Sequence, residues 1–216
     1  HDEIFIIDHS TSSEEAAGHT GGNCGKGGDF LYRWGNSENY GYGDESDKKI
    51  DDQHSVNWIP LNYPGGGNII LFNNFYTSFT SAVMEWETPL NNSGCYDLNL
   101  NGVFGPTQAS WVFYNNFHSD RQSGAFRLEN GNTLITDANS TRIFEVDSDG
   151  NIQWDYTHIG DSGMIPRAQK YPLDYLDNIL LGDVNSDGIV NILDVVSTVN
   201  IVLGNLDWVD AADYNN

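Results

Sequence analysis

The chain has 216 residues, 38% of them hydrophobic, which is enough for a sizeable core and excludes a disordered tail. Nine lysines and arginines against 31 aspartates and glutamates leave a formal charge of -22, a field that repels phosphate backbones and anionic lipid heads. Nucleic acid and membrane surfaces are therefore poor partners, and no apolar run is long enough to span a bilayer. Aromatics at 12% and 23 glycines favour short strands joined by tight turns, so the bulk is expected to be all-β.

The chain opens directly in a strand pattern rather than a signal peptide, and so reads as a processed or truncated piece. Alternating apolar residues predict a strand over 3–8, followed by a polar, Gly-rich loop to about residue 28, long enough to suggest function. A second strand is expected over 29–34, then an acidic surface connection to residue 52, and apolar residues return at 56–59. Cys24 and Cys95 lie far apart without metal-ligand spacing and make either one disulfide or two unpaired thiols.

A unit then repeats. Gly67-Asn68-Ile69-Ile70-Leu71-Phe72 matches Gly131-Asn132-Thr133-Leu134-Ile135-Thr136, 64 residues further on. The first copy is followed by strand patterns at 82–87 and 110–114, the second by 142–147 and 151–156, with Asp149-Gly150 as a two-residue hairpin signal. Each unit has an apolar face that it cannot bury alone, and stacking such units about an axis makes a β-propeller. The expectation is a partial β-propeller of about three four-stranded antiparallel blades. Residues 3–34 supply the outer part of one, 53–114 a second and 123–156 a third; an open sandwich of the same strands is the alternative. Propellers close with four or more blades, so missing N-terminal blades or a partner chain are expected beside these three.

After Pro172 the composition changes, which divides the chain into residues 1–176 and a small α-helical segment, 177–216, with a helix expected over 192–203. Asp183, Asn185 and Asp187 stand at alternate positions, Gly188 is sixth, Asn191 ninth and Asp194 twelfth. This is the ligand spacing of an EF-hand loop, with Ile189 supplying a main-chain carbonyl and Ca2+ as the ion. The run from Gly182 to Val196 resembles a type I dockerin repeat, and Asp213-Tyr214-Asn215-Asn216 looks like the opening of a second repeat. That resemblance implies docking to a cohesin-type scaffold protein, with half of the module missing here.

The first 175 residues resemble the bacterial arylsulfotransferase family. The likeness is carried by Ile7-Asp8-His9-Ser10-Thr11, Leu31-Tyr32-Arg33-Trp34-Gly35-Asn36, Gln53-His54, Trp58-Ile59-Pro60, Phe72-Asn73-Asn74 and Ser123-Gly124-Ala125. It implies the C-terminal half of a secreted propeller, extracellular or periplasmic, which moves a sulfuryl group from an aryl sulfate to a phenol through a histidine. Such chemistry needs a neutral imidazole as nucleophile and cations or donors around the sulfate oxygens. His54, at the start of an inner strand, is the first candidate. His9 and His19 flank the long first loop, Arg33 lies in the strand after it, and His118 precedes the third unit. Each of these also suits a structural hydrogen-bonding role. The sequence departs from the family at Phe75-Tyr76-Thr77, where members tend to continue with glycine and sometimes arginine, and a three-bladed piece lacks half of a propeller's channel lining. A non-catalytic binding module and a structural subunit of an extracellular assembly are the other two readings.

Overall fold

An uninterrupted apolar run such as Ile69-Ile70-Leu71-Phe72 is stable as a strand only if both faces of its sheet are covered. In the computed structural model, which describes residues 1–160, 163–172, 180–185 and 187–207, this run forms part of the central strand pair. The chain divides into two compact units, His1–Gln169 and Lys170–Asn216. The expected boundary between residues 176 and 177 lies outside the described residues, and so does the expected second loop at Asp213-Tyr214-Asn215-Asn216.

The larger unit is all-β, built from three antiparallel sheets. The first has two short strands, β1 (Ile4–Ile6) and β2 (Tyr32–Trp34). The central sheet is an up-and-down meander of β3 (His54–Trp58), β4 (Ile69–Thr77), β5 (Thr80–Trp86) and β6 (Trp111–Phe113). The third repeats that order with β7 (Gly124–Arg127), β8 (Thr133–Asp137), β9 (Arg142–Val146) and β10 (Ile152–Thr157). The two four-stranded meanders coincide with the repeated sequence units, whereas the N-terminal segment forms two strands of three residues each.

Strand periodicity explains the two cores. Ile69, Leu71, Ala82, Met84 and Trp86 turn to one side of the central sheet and pack with Ile4, Tyr32, Trp34 and Ile50. Ile70, Phe72 and Val83 turn to the other side and pack with Ala125, Ile135, Phe144 and Val146 of the third sheet. Trp34 and Trp86 stack at 4.0 Å between ring centroids, and their indole N–H groups are satisfied by Pro106 O and the Tyr32 hydroxyl at 2.8 and 3.1 Å. Emptying such an aromatic site costs about 3–5 kcal/mol.

The turns differ in one detail from expectation. Asp149-Gly150 belongs to a three-residue loop, because Asp147 N–H donates to Asn151 O at 3.0 Å and Gly150 alone takes positive φ, +84°. The preceding hairpin of the same sheet, between β7 and β8, uses the same device: Leu128 N–H donates to Asn132 O at 2.8 Å, with Gly131 at φ +88°.

The long first loop is not featureless. It contains α1 (Ser13–Ala16), closed by a capping box between Ser12 and Glu15, and Cys24 in it is disulfide-bonded to Cys95. In the smaller unit the described helix is α2 (Ile192–Val202), capped by Asn191, whose side-chain oxygen accepts the Leu193 N–H at 2.7 Å.

Candidate functional site

His54 begins β3, where pairing with β4 is interrupted between His54 and Asn57. Its Nδ1 faces two acceptors, Asp52 O at 3.1 Å and Asn74 Oδ1 at 2.9 Å. Asn74 is itself oriented: its Nδ2 donates to Ser119 O at 2.9 Å and to Gln122 O at 3.2 Å, which leaves only its oxygen for the imidazole. The proton of neutral His54 therefore sits on Nδ1, and Nε2 carries the lone pair. A half-buried imidazole with a fixed tautomer is the arrangement that nucleophilic or general-base chemistry requires.

Three chain segments meet beside it. Asn57 on β3 donates to Ala125 O of β7 at 3.0 Å, and Ser123 N–H donates to Pro166 O at 2.9 Å. Ser55, next to His54, faces Gly124 so closely that a β-carbon there would lie 3.0 Å from Ser55 Oγ and 3.1 Å from Arg167 Cγ. The backbone is strained here: Asp52, Ser55, Gln122 and Ser123 take φ of +52°, +57°, +51° and +79°. Strain of this kind persists only where surrounding structure imposes it, and it gathers at functional sites. Three buried polar atoms without a hydrogen-bond partner also lie in these segments: Gln53 Oε1, Ser55 Oγ and His118 Nδ1.

The other candidates stand as follows. His118 packs edge-on against Phe75, the neighbour of Asn74, so His54 and His118 share the same end of β4. Arg33 grips Glu3 with Nε at 3.0 Å and Nη2 at 2.6 Å and rests against Tyr40 at 4.5 Å, so its guanidinium is already committed. His19 is exposed and meets Asp29 at 2.8 Å, and His9 is exposed. Arg121 is held by Asp120, whose carboxyl lies well below the usual range because of the Arg121 and then the Asn139 hydrogen bonds. Two surface clefts of about 340 Å³, one bounded by Trp86 and Pro89 and one by Lys49 and Tyr76, contain no histidine. The strained, orphaned polar cluster is a better guide to chemistry than those volumes.

Ser55 and Arg167 carried no sequence signal. Neither belongs to a recognisable motif, and they become neighbours only because β3, β7 and the 165–169 segment converge. Asn74 lay in the motif Phe72-Asn73-Asn74, but its role as orienter depends on Ser119 and Gln122, 45 and 48 residues away.

In the smaller unit the loop after Leu181 closes around two carboxylates. Asp183 accepts Asp187 N–H at 3.0 Å and Gly188 N–H at 2.7 Å, with Gly188 at φ +83° making the turn. Asp194 accepts Asn191 N–H at 2.7 Å and Asn185 N–H at 3.2 Å, and the Asn191 bond leads the donors that hold its carboxyl below the usual range. Asp183 and Asp194 are 6% and 2% exposed, and among the described residues neither has a cationic partner. Buried carboxylates without a counter-charge are costly, and a bound cation would relieve them. Among the described residues no three His, Cys, Asp or Glu side chains converge as a metal-holding group. The loop instead offers carboxylates with the Asn185 and Asn191 amides and the Ile189 carbonyl, the mixed oxygen set that calcium takes. Asp187 turns to Ile189 N–H at 2.9 Å, and Asn191 Nδ2 to Ile189 O at 3.1 Å.

Comparison with known proteins brings no assignment: no family model, no curated protein and no solved structure matches the chain.

Proposed function

We propose that this chain is part of a secreted arylsulfotransferase-like propeller that carries a calcium-binding, dockerin-like tail. The observation that carries the catalytic half is His54: its Nδ1–H is held by Asp52 O and Asn74 Oδ1, so Nε2 is the nucleophile. The Nε2 lone pair attacks the sulfur of an aryl sulfate, the sulfur–oxygen bond to the ring breaks, and a phenolate leaves. The acceptor phenol's oxygen then attacks the sulfur, the nitrogen–sulfur bond breaks, and the phenolic proton passes to the departed phenolate. Asp52 O and Asn74 Oδ1 stabilise the positive charge that the sulfated imidazole bears between the two steps. The two four-stranded meanders packed face to face act as successive blades, with β3 and β7 innermost.

For the tail, Asp183, Asn185, Asp187, Ile189, Asn191 and Asp194 are the calcium ligands. Bound calcium neutralises the loop's carboxylates. The exposed apolar residues of α2, among them Ile192, Val195, Val199 and Val202, suit a cohesin-type protein partner. The Cys24–Cys95 bond accords with an oxidising, extracellular or periplasmic setting.

A second reading, a non-catalytic binding module, draws on Trp154 and Tyr156. Their exposed rings on β10 are nearly parallel, 14° apart with centroids at 6.2 Å. The test that separates the readings is sulfate transfer from a chromogenic aryl sulfate to a phenol by the full-length protein and by its His54→Ala variant. Turnover that disappears in the variant supports the enzyme; absence of turnover in the parent moves the assignment to the binding module.

A further inference from the structure

Lys48 and Lys49 are adjacent in the chain and differently employed. Lys48 Nζ meets three carboxylates, those of Asp2, Asp51 and Glu45, at 3.1, 3.2 and 3.6 Å. Among the described residues Lys49 has no carboxylate partner. Its Nζ donates to Asp47 O at 3.3 Å and lies 6.0 Å from the centroid of the Trp34 ring. In a chain of charge -22 an ammonium group finds a carboxylate easily, so a half-buried one that has none is open to an anion from outside.

Its place in the fold says which anion. Lys49 borders a cleft of about 340 Å³ where the first sheet meets the central one. Trp34 of β2, Met84 of β5 and Val112 of β6 form an apolar floor, and Tyr76, its ring 39% exposed, stands at the side. The exposed Gln108 amide, which makes no hydrogen bond within the described residues, is the second polar group. Two rings, a thioether and a branched aliphatic chain favour a flat aromatic body, and a volume of this size takes one of two fused rings. A single carboxylate on that body answers both the ammonium and the amide.

We propose that this cleft binds a small aromatic carboxylic acid, its rings between Tyr76 and the Trp34–Met84 floor and its carboxylate held by Lys49 Nζ and the Gln108 amide. Lys49 exchanges its bond to the Asp47 carbonyl for a stronger one to an ionised acceptor. The site is separate from His54. The cleft lies over β5 and β6, on the face of the central sheet that packs on the first sheet, whereas His54 stands on β3, the opposite edge strand, paired with Phe72 of the other face. Its occupant is therefore independent of any sulfuryl transfer at His54.

The experiment is calorimetric titration of the protein with naphthoate at low ionic strength, with the NMR signals of Trp34 and Tyr76 followed alongside. Lys49→Met removes the charge and keeps the apolar stem; Lys26→Met, which removes a positive charge outside the cleft, is the control. Loss of one charge-assisted hydrogen bond is expected to weaken binding about tenfold in Lys49→Met, and the uncharged naphthamide is expected to bind the parent about tenfold less tightly than the acid. Lys26→Met is expected to stay within about twofold of the parent. Ala109→Phe, which fills the cleft and leaves Lys49 in place, is expected to weaken binding as well. No naphthoate binding by the parent, equal affinity for acid and amide, or unchanged affinity in Lys49→Met overturns the proposal. Equal losses in Lys49→Met and Lys26→Met overturn it too, because they report the net charge of the protein and not a site.

Discussion

The Asn74 side chain is fixed at one end by the Ser119 and Gln122 carbonyls and presents its oxygen to His54 Nδ1, 2.9 Å away, at the other. One buried amide on β4 therefore decides which nitrogen of a histidine on β3 is free. Replacing Asn74 by Ala removes that orienter and leaves Asp52 O as the sole acceptor. The expected result is a His54 that populates both neutral tautomers, visible in its ring nitrogen NMR shifts, together with a fall in any aryl sulfate turnover. A single unchanged tautomer in Asn74→Ala would show that Asp52 O suffices.

The central and third sheets are tied by a buried ion pair between Arg127 on β7 and Glu85 on β5, both less than a tenth exposed. Asn68 Nδ2 also donates to Glu85 at 2.7 Å, and Arg127 reaches Gly131 O at 2.9 Å and lies over Trp111. Removing one partner strands the other charge, so Arg127→Ala is expected to lose about 3–5 kcal/mol in denaturant unfolding. A double substitution to apolar residues of similar size is expected to recover most of that loss.

On the outer strands Arg142 grips Asp155 through two hydrogen bonds, 2.9 and 2.5 Å, and this pairing lowers the Asp155 carboxyl below its ordinary value. A carboxyl lowered on folding contributes stability that is present above its unfolded value, near 4, and is lost as pH falls through the lower folded value. NMR titration of Asp155 is expected to give a midpoint below that of an ordinary aspartate, and Arg142→Ala should return it toward the ordinary range.

Calcium is expected to bind the Asp183 loop. Added calcium should raise the thermal midpoint of the small unit in proportion to the logarithm of its concentration above saturation, and EGTA should reverse the gain. Asp194→Ala removes a carboxylate that closes the loop and also caps α2, and is expected to abolish calorimetric binding. Asn185→Asp, which adds a charge at a ligand position, provides the converse check by tightening it. Magnesium, with its demand for strict octahedral geometry, is expected to compete poorly.

The sequence by itself determined the parts that depend on local pattern. Two repeated units became two four-stranded meanders, because alternation and Gly-bearing turns specify a hairpin within a few residues. The proposed oxygen ligands at 183–194 could all be named in advance because a single loop's spacing lists them. His54 was legible as a strand-end histidine, but not its tautomer. Only tertiary structure decided that Arg33 is spent on Glu3, that Cys24 meets Cys95 across 71 residues, and that Ser55, Gly124 and Arg167 stand together beside His54. Each of those contacts joins segments distant along the chain, and no short-range period records which distant segments the packing of the two cores will bring together.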